Sequence, residues 1–371
     1  MSFNYLKERI NTLSGVSTRN FGDIYIETTA NCTNDCFMCP RQGIKHYGTM
    51  KKDTFELVIQ KLKDINYKGQ IHLYGQGEPF LDKDIIKKIY YVKENLPDNN
   101  IILISNFTVL NDSLIDEIVK APIHNLSCSV YALTEESYKK ICKRNNFKLA
   151  FINQVKFMKK YAQQVPFSFA FYIVNNDYIA QDFDFMKYYF SQIVPCSLFQ
   201  ISSLLSLFNS KHAQLKKSKK YFSPCIYNDM KISSDGVISS CPCDAENKLE
   251  IGHIFHDKES LKEIYNNEKA REFRKKMLYS NEADSYCQFC AFRRGSTLFE
   301  YMLPIFKKKS VIFDPYGHKL EKSVYSKEQI QNKLKIFNDI FKDDEEDNWI
   351  NSLKILRENF YETERTSHEI L

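Results

Sequence analysis

A chain of 371 residues, 43% hydrophobic and 26% charged, has enough apolar material for one large folded domain and a smaller one. Its net charge of +6 is small for the length, and its lysines are scattered, which argues against nucleic acid as a partner. Runs such as KKSKK at 216–220 read as solvated faces. No apolar run approaches the ~20 residues of a membrane span, so no membrane association is expected. The opening MSFNYLKERINTLSG carries charges where a signal peptide needs an apolar stretch. A cytoplasmic protein is therefore expected, and in that reducing compartment eleven cysteines argue for metal ligation over disulfides.

Residues 1–20 read as an amphipathic lead-in. The pattern then predicts a strand at 23–28 (DIYIET), which runs into the loop NCTNDCFMCPRQ with Cys32, Cys36 and Cys39. A helix is predicted over 53–65, with Phe55, Val58, Ile59 and Leu62 on one face. A strand at 70–75 and a helix at 82–95 follow, then strands at 100–105, 125–132, 167–174 and 195–202, mostly separated by helical stretches. Six strands alternating with helices imply parallel βαβ units with right-handed crossovers. The expected fold is α/β: a partial (β/α)6 TIM-like barrel over 21–205, with its chemistry on loops at the strand C-terminal ends. The cysteine loop lies at such an end. A Ser- and Lys-rich linker at 206–223 leads to a small cysteine-rich α+β domain at 224–295, with one amphipathic helix over 260–277. Residues 296–371 read as a helical extension, with apolar spacing at Ile330, Leu334, Phe337 and Phe341, then at Ile350, Leu353, Leu356 and Phe360.

Three thiols within eight positions raise the question of the missing fourth. A closed structural zinc site takes four ligands, so three leave a coordination position open. Three thiolates can hold three irons of a [4Fe–4S] cube, whose complete set is four. A zinc half-site of Cys36 and Cys39, completed by a distant C-x-x-C, is the alternative. GQGEP at 75–79 ends the second strand, one βα unit after the cysteine loop.

The C-x-x-x-C-x-x-C loop after strand one, followed by GQGEP, resembles the radical S-adenosylmethionine (SAM) enzymes. That resemblance implies an open iron that binds the amino and carboxylate groups of SAM. It also implies one-electron cleavage of SAM to a 5′-deoxyadenosyl radical, which abstracts a substrate hydrogen atom. Gly75, Gly77 and Glu78 match the glycine-rich segment, often GGEP, that lets backbone carbonyls approach the SAM amino group; Gln76 here separates the two glycines. Ser105 and Asn106 at the third strand end, and Ser129 at the fourth, match small polar residues that meet the SAM ribose and carboxylate. Tyr131 and Ala132 replace the D-G of the frequent S-x-D-G. Arg144 stands where members often carry a basic residue near the carboxylate, and Phe37 is an aromatic of the kind that covers the adenine.

Cys225, Gly236 and Cys241 form a C-x10-G-x4-C segment, and Cys287 and Cys290 a later C-x-x-C. A hairpin turning at Asp235-Gly236 would carry Cys225 and Cys241 on paired strands. Four thiolates make a closed site. This stretch is similar to the SPASM and twitch extensions of radical SAM enzymes, which bind auxiliary [4Fe–4S] clusters. The full SPASM form has seven cysteines and two auxiliary clusters; four here imply one, with a structural zinc as the alternative. Cys243 is a surplus thiol, and Cys128, Cys142 and Cys196 read as small buried residues.

A closed auxiliary cluster suggests an electron acceptor, so resemblance to the twitch-type dehydrogenases implies oxidation of a small-molecule alcohol, such as a sugar or aminocyclitol. An electron donor such as flavodoxin or ferredoxin is implied as partner. Peptide- or protein-modifying maturation is an alternative. Only 31 residues precede Cys32, fewer than the usual ~50-residue minimum of a recognition domain. A non-catalytic iron–sulfur or zinc-binding protein is a third reading, and it leaves the barrel and the open cysteine loop unexplained.

Overall fold

A computed structural model describes residues 21–174, 177–202, 229–256, 258–279, 322–342 and 345–368. In chain order the elements are β1 (Asp23–Ile26), α1 (Lys52–Asp64), β2 (Gln70–His72), α2 (Ile85–Asn95), β3 (Ile101–Ser105), α3 (Asp112–Lys120), β4 (Asn125–Val130), α4 (Glu135–Cys142), α5 (Phe147–Gln164), β5 (Ser168–Val174), α6 (Phe183–Tyr188) and β6 (Leu198–Ser202). Then come β7 (Asp229–Ile232), β8 (Val237–Ser239), β9 (Glu250–His253), α7 (Leu261–Tyr265), α8 (Glu268–Tyr279), β10 (Lys322–Val324), α9 (Lys327–Ile340) and α10 (Glu346–His368). The described residues form two compact units. The first holds 21–104, 122–124 and 229–279, and the second the remainder.

In the first unit β1 lies parallel between β2 and β7, with Tyr25 opposite both His72 and Lys231. β3 runs parallel to β2, while β8 and β9 continue antiparallel beyond β7. Ile24 and Ile26 are fully buried on one face of β1, and the alternate residue Tyr25 is half-buried on the other, as the two-residue period of a strand requires. α1 buries Phe55, Val58, Ile59 and Leu62, the stripe that the sequence predicts.

Two helices depart from expectation here. α2 begins at Ile85 because a 3₁₀ turn over Pro79–Leu81 leads into an Asx turn, where Asp82 Oδ1 accepts the Asp84 N–H (3.1 Å). Asp82 also pairs with buried Lys88 of α2 at 2.6 Å. The single helix expected over 260–277 is two helices, α7 and α8. Asn267 breaks it: its Oδ1 accepts the Ala270 N–H (2.9 Å), and its Nδ2 donates to the Ile251 carbonyl (2.6 Å). The predicted hairpin is present, with Gly236 at φ +94 in its turn. Its parallel docking onto β1 is an arrangement that local pattern does not reveal.

The second unit pairs β4, β5 and β6 in parallel, and β10 runs antiparallel to β6, a strand the sequence pattern did not disclose. Phe107, Phe157, Phe169, Phe171 and Phe190 form its aromatic core. α9 starts with a capping box between Ser326 and Gln329. The tail helices pack onto this unit: Phe341 meets the Phe151 ring at 5.9 Å, Phe360 meets Phe185 at 5.7 Å, and Arg357 pairs with Asp182 at 2.5 Å. Cys128, Cys142 and Cys196 are fully buried. No helix among the described residues is long and apolar enough to cross a membrane.

Candidate functional site

After β1 the chain makes an excursion closed at its base. The Ala30 N–H donates to the Gly48 carbonyl (2.9 Å), Thr29 Oγ1 donates to the same oxygen (3.1 Å), and the Met50 N–H donates to the Thr28 carbonyl (2.8 Å). Cys32, Cys36 and Cys39 lie in this loop, where a turn joins the Cys39 N–H to the Cys36 carbonyl (2.9 Å). Burial pushes the Cys32 thiol up to about 11 and the Cys39 thiol up to about 12, and the neighbouring thiols add to both. Arg41 opposes that rise at both, and its Nη1 anchors to the Ala30 carbonyl (2.8 Å). Such thiols ionise readily only against a bound cation, as thiolate ligation to metal requires. Among the described residues no three His, Cys, Asp or Glu side chains converge on one point for a single ion. The three thiols act on one another's ionisation and so stand near one another, as thiolates that bind separate irons of one cluster must.

The glycine segment is brought against this loop. The Glu78 N–H donates to the Asn31 carbonyl (2.7 Å), and Glu78 itself is buried. A β-carbon at Gly75 would lie 2.5 Å from Glu27 Oε2, and one at Gly77 would lie 2.1 Å from the Thr29 carbonyl oxygen. Both glycines are thus required by close approach within the chain. Phe37 is half-buried in the loop.

Glu27 is a residue that motif reading missed. It is fully buried at the end of β1; His46 Nε2 donates to its Oε1 (2.6 Å), the Gln76 N–H to its Oε2 (2.8 Å) and the Ser234 N–H to its Oε1 (3.3 Å). Burial alone would raise its carboxyl, but the His46 bond, the charge of buried Lys231 and the Gln76 N–H hold it below its ordinary value. A carboxylate directly after the Ile24–Ile26 stretch was the available signal.

On the hairpin side, Cys241 is buried two residues past β8, and its N–H donates to Ser239 Oγ (3.4 Å). Fully buried Asp244 shapes the following loop: it accepts from Ser239 Oγ (2.9 Å), the Lys248 N–H (3.0 Å) and the Leu249 N–H (2.7 Å), while Lys231 Nζ donates to its carbonyl (2.6 Å). Cys243 is half-buried. Cys225, Cys287 and Cys290 lie outside the described residues, as do the expected lead-in at 1–20 and linker at 206–223.

Ser105, Asn106, Ser129 and Arg144 belong to the second unit. Ser105 Oγ accepts the Phe107 N–H (3.0 Å), and Asn106 Oδ1 accepts from the N–H and hydroxyl of Thr108 (3.0 and 2.6 Å). These oxygens hold Phe107 at φ +62, an uncommon value for a bulky residue. Ser129 is half-buried on β4, and Arg144 is exposed after α4.

The half-buried face of the first unit's sheet carries a further cluster. The Tyr25 ring stacks on His72 at 4.2 Å, and Tyr74 stands edge-on to both. Tyr74 Oη lies 3.1 Å from His72 Nδ1, and His72 Nε2 lies 3.5 Å from Asp23 Oδ2. Burial, with Tyr74, Asp229 and Asp23, pushes the Tyr25 phenol up. Tyr74 directly precedes the glycine segment, which places the phenol and the imidazole at the C-terminal end of β2, with Asp23 at the start of β1 behind them.

The radical SAM superfamily model matches residues 26–186, and that of an iron–sulfur cluster-binding domain, SPASM, matches residues 224–291. An uncharacterised protein of Methanocaldococcus jannaschii is 30% identical over 159 residues, 39% of this chain and 37% of that one. The match thus spans little more than a third of that relative's length. The structure of Streptococcus suis SuiB bound to precursor peptide SuiA is similar in fold, at 13% identity and a TM-score of 0.50, covering 85% of this chain and 79% of that one. BtrN in complex with AdoMet and 2-DOIA aligns at 16% identity and a TM-score of 0.49, covering 72% and 93%.

Proposed function

The chain belongs to the radical SAM superfamily and carries a SPASM domain, and from that premise we propose that it oxidises an alcohol carbon of a small molecule such as a sugar or aminocyclitol. Family membership brings a [4Fe–4S] cluster and SAM, and the SPASM domain brings auxiliary iron–sulfur chemistry. In our assignment Cys32, Cys36 and Cys39 hold the first cluster, and Cys225, Cys241, Cys287 and Cys290 hold one auxiliary cluster. Phe37, Gly75, Gly77, Glu78, Ser105, Asn106, Ser129 and Arg144 are assigned to SAM by resemblance. The division into a core at 21–205, a cluster domain at 224–295 and a helical extension at 296–371 belongs to the same proposal. So do a flavodoxin- or ferredoxin-like donor and a cytoplasmic location.

When bound, these groups supply a 5′-deoxyadenosyl radical that removes a hydrogen atom, and an acceptor for one electron. Oxidation then requires the chain to take the hydroxyl proton. In the tautomer that carries its proton on Nε2, His72 Nδ1 is the acceptor for the Tyr74 phenol, while Asp23 Oδ2 stands 3.5 Å from Nε2 without a hydrogen bond to it. Tyr74 can take the substrate proton while its own passes to His72, leaving a carbonyl product. The His72–Tyr74 contact is the observation that carries this reading.

The test is a reconstituted enzyme offered candidate alcohols deuterated at the carbinol carbon. Deuterium in 5′-deoxyadenosine, with one carbonyl formed per turnover, supports the proposal. Deuterium transfer only from labelled peptides would replace it with peptide maturation. About eight irons in the native chain and about four in a Cys32/Cys36/Cys39→Ala variant would check the cluster assignment.

A further inference from the structure

The carboxylate of Glu27 collects donors from three segments far apart in sequence: His46 from the return of the cysteine loop, Gln76 from the glycine segment and Ser234 from the hairpin turn. All three contacts lie within the first unit, and no part of the Glu27 side chain reaches solvent. Burying a carboxylate is costly unless its oxygens are satisfied, and here both are. Gly75 has no β-carbon where Glu27 passes, so the glycine segment is shaped around this side chain. Fully buried Lys231, on the strand paired with β1, adds charge that favours the ionised form.

We propose that Glu27 is a positioning residue, which fixes the glycine segment and the hairpin turn against the cysteine loop and thereby sets how SAM meets the cluster. This rests on the assignment of Cys32, Cys36 and Cys39 as its ligands. Glutamine has the shape of glutamate but only one acceptor oxygen, and its amide N–H₂ would face a backbone N–H. The charge and the second acceptor, rather than the volume, do the holding.

The experiment compares reconstituted holoenzyme with Glu27→Gln and His46→Gln by iron content, EPR of the reduced cluster with and without SAM, and amide hydrogen exchange. For Glu27→Gln the iron content stays at the parent value. The SAM concentration that shifts the EPR spectrum rises at least about tenfold, and exchange at Gln76 and Ser234 speeds up by a similar factor. His46→Gln moves the same readouts in the same direction by less, and it carries the test alone if Glu27→Gln does not fold. A SAM response and exchange rates within about twofold of the parent in both variants would overturn the proposal. Loss of iron equal to that of the cysteine variant would also overturn it, because Glu27 would then serve cluster retention. Absence of iron from the parent itself would remove the ligand assignment, a failure visible without any Glu27 variant.

Discussion

Gly77 leaves room for the carbonyl of Thr29: a β-carbon on Gly77 would sit 2.1 Å from that oxygen and 2.6 Å from the carbonyl of Asn31. Two strand-end loops are held backbone to backbone there, and neither can retreat, because the Glu78 N–H donates to Asn31 O at 2.7 Å.

Gly77→Ala is therefore expected to cost about 3 kcal/mol and Gly75→Ala less, because the obstacle at 75 is the Glu27 side chain. Urea unfolding of the two variants checks the order. Equal losses, or a harmless Gly77→Ala, would show that the loops separate more easily than their contacts imply.

Acid should act through Glu27. Its carboxyl is held below the ordinary 4.5, so the folded state binds fewer protons there than the unfolded state. The stability it contributes is complete above 4.5 and is lost as pH falls through the folded value. The parent should exceed Glu27→Gln by about 2 kcal/mol at pH 7, with the gap closing below pH 4.5. Urea midpoints of both proteins from pH 7 down to about pH 3 measure this, and a gap independent of pH would contradict it.

Much of this arrangement was legible in the sequence because it is local. The strand periods, the Phe55–Leu62 stripe and the turn at Gly236 each depend on a few neighbouring residues. The cysteine loop was legible because thiols are scarce and their spacing is specific. Glu27 was not, since its partners stand 19, 49 and 207 residues away and none forms a motif with it. β7 pairing with β1, and β10 with β6, escaped for the same reason: strand partners are chosen by long-range packing. Asn266 and Asn267 broke a helix whose apolar spacing continues across them, because side-chain bonding to the backbone overrides periodicity.

Lys333 gives the tail a pH signature of its own. Buried in α9, its ammonium donates to the carbonyls of Phe190 (3.0 Å) and Val194 (3.2 Å) and lies over the Tyr325 ring. Burial pushes it down to about 8, against the opposing influence of Cys196. Between that value and the ordinary 10.5 the unfolded chain binds more protons, so stability rises with pH across the window. The parent should gain about 2 kcal/mol over Lys333→Met between pH 7.5 and 9.5. Trp349, the single tryptophan and buried in α10, reports the unfolding by fluorescence. A constant difference would place Lys333 in a wetter setting than its contacts indicate.

The proton step makes the sharpest demand on the proposed reaction. Tyr74→Phe keeps the ring edge-on to Tyr25 and His72 but removes the hydroxyl that reaches His72 Nδ1. Hydrogen-atom transfer precedes proton loss, so deuterium exchange into 5′-deoxyadenosine should persist while carbonyl product falls about 10²- to 10⁴-fold. His72→Gln, which removes the proton's destination, should show the same split with the phenol still present. Asp23→Asn should act more weakly, since the carboxylate stands 3.5 Å from Nε2 without a hydrogen bond and acts on the imidazole only through its charge. A parallel fall in label transfer and product would mean that Tyr74 positions substrate and the base lies elsewhere.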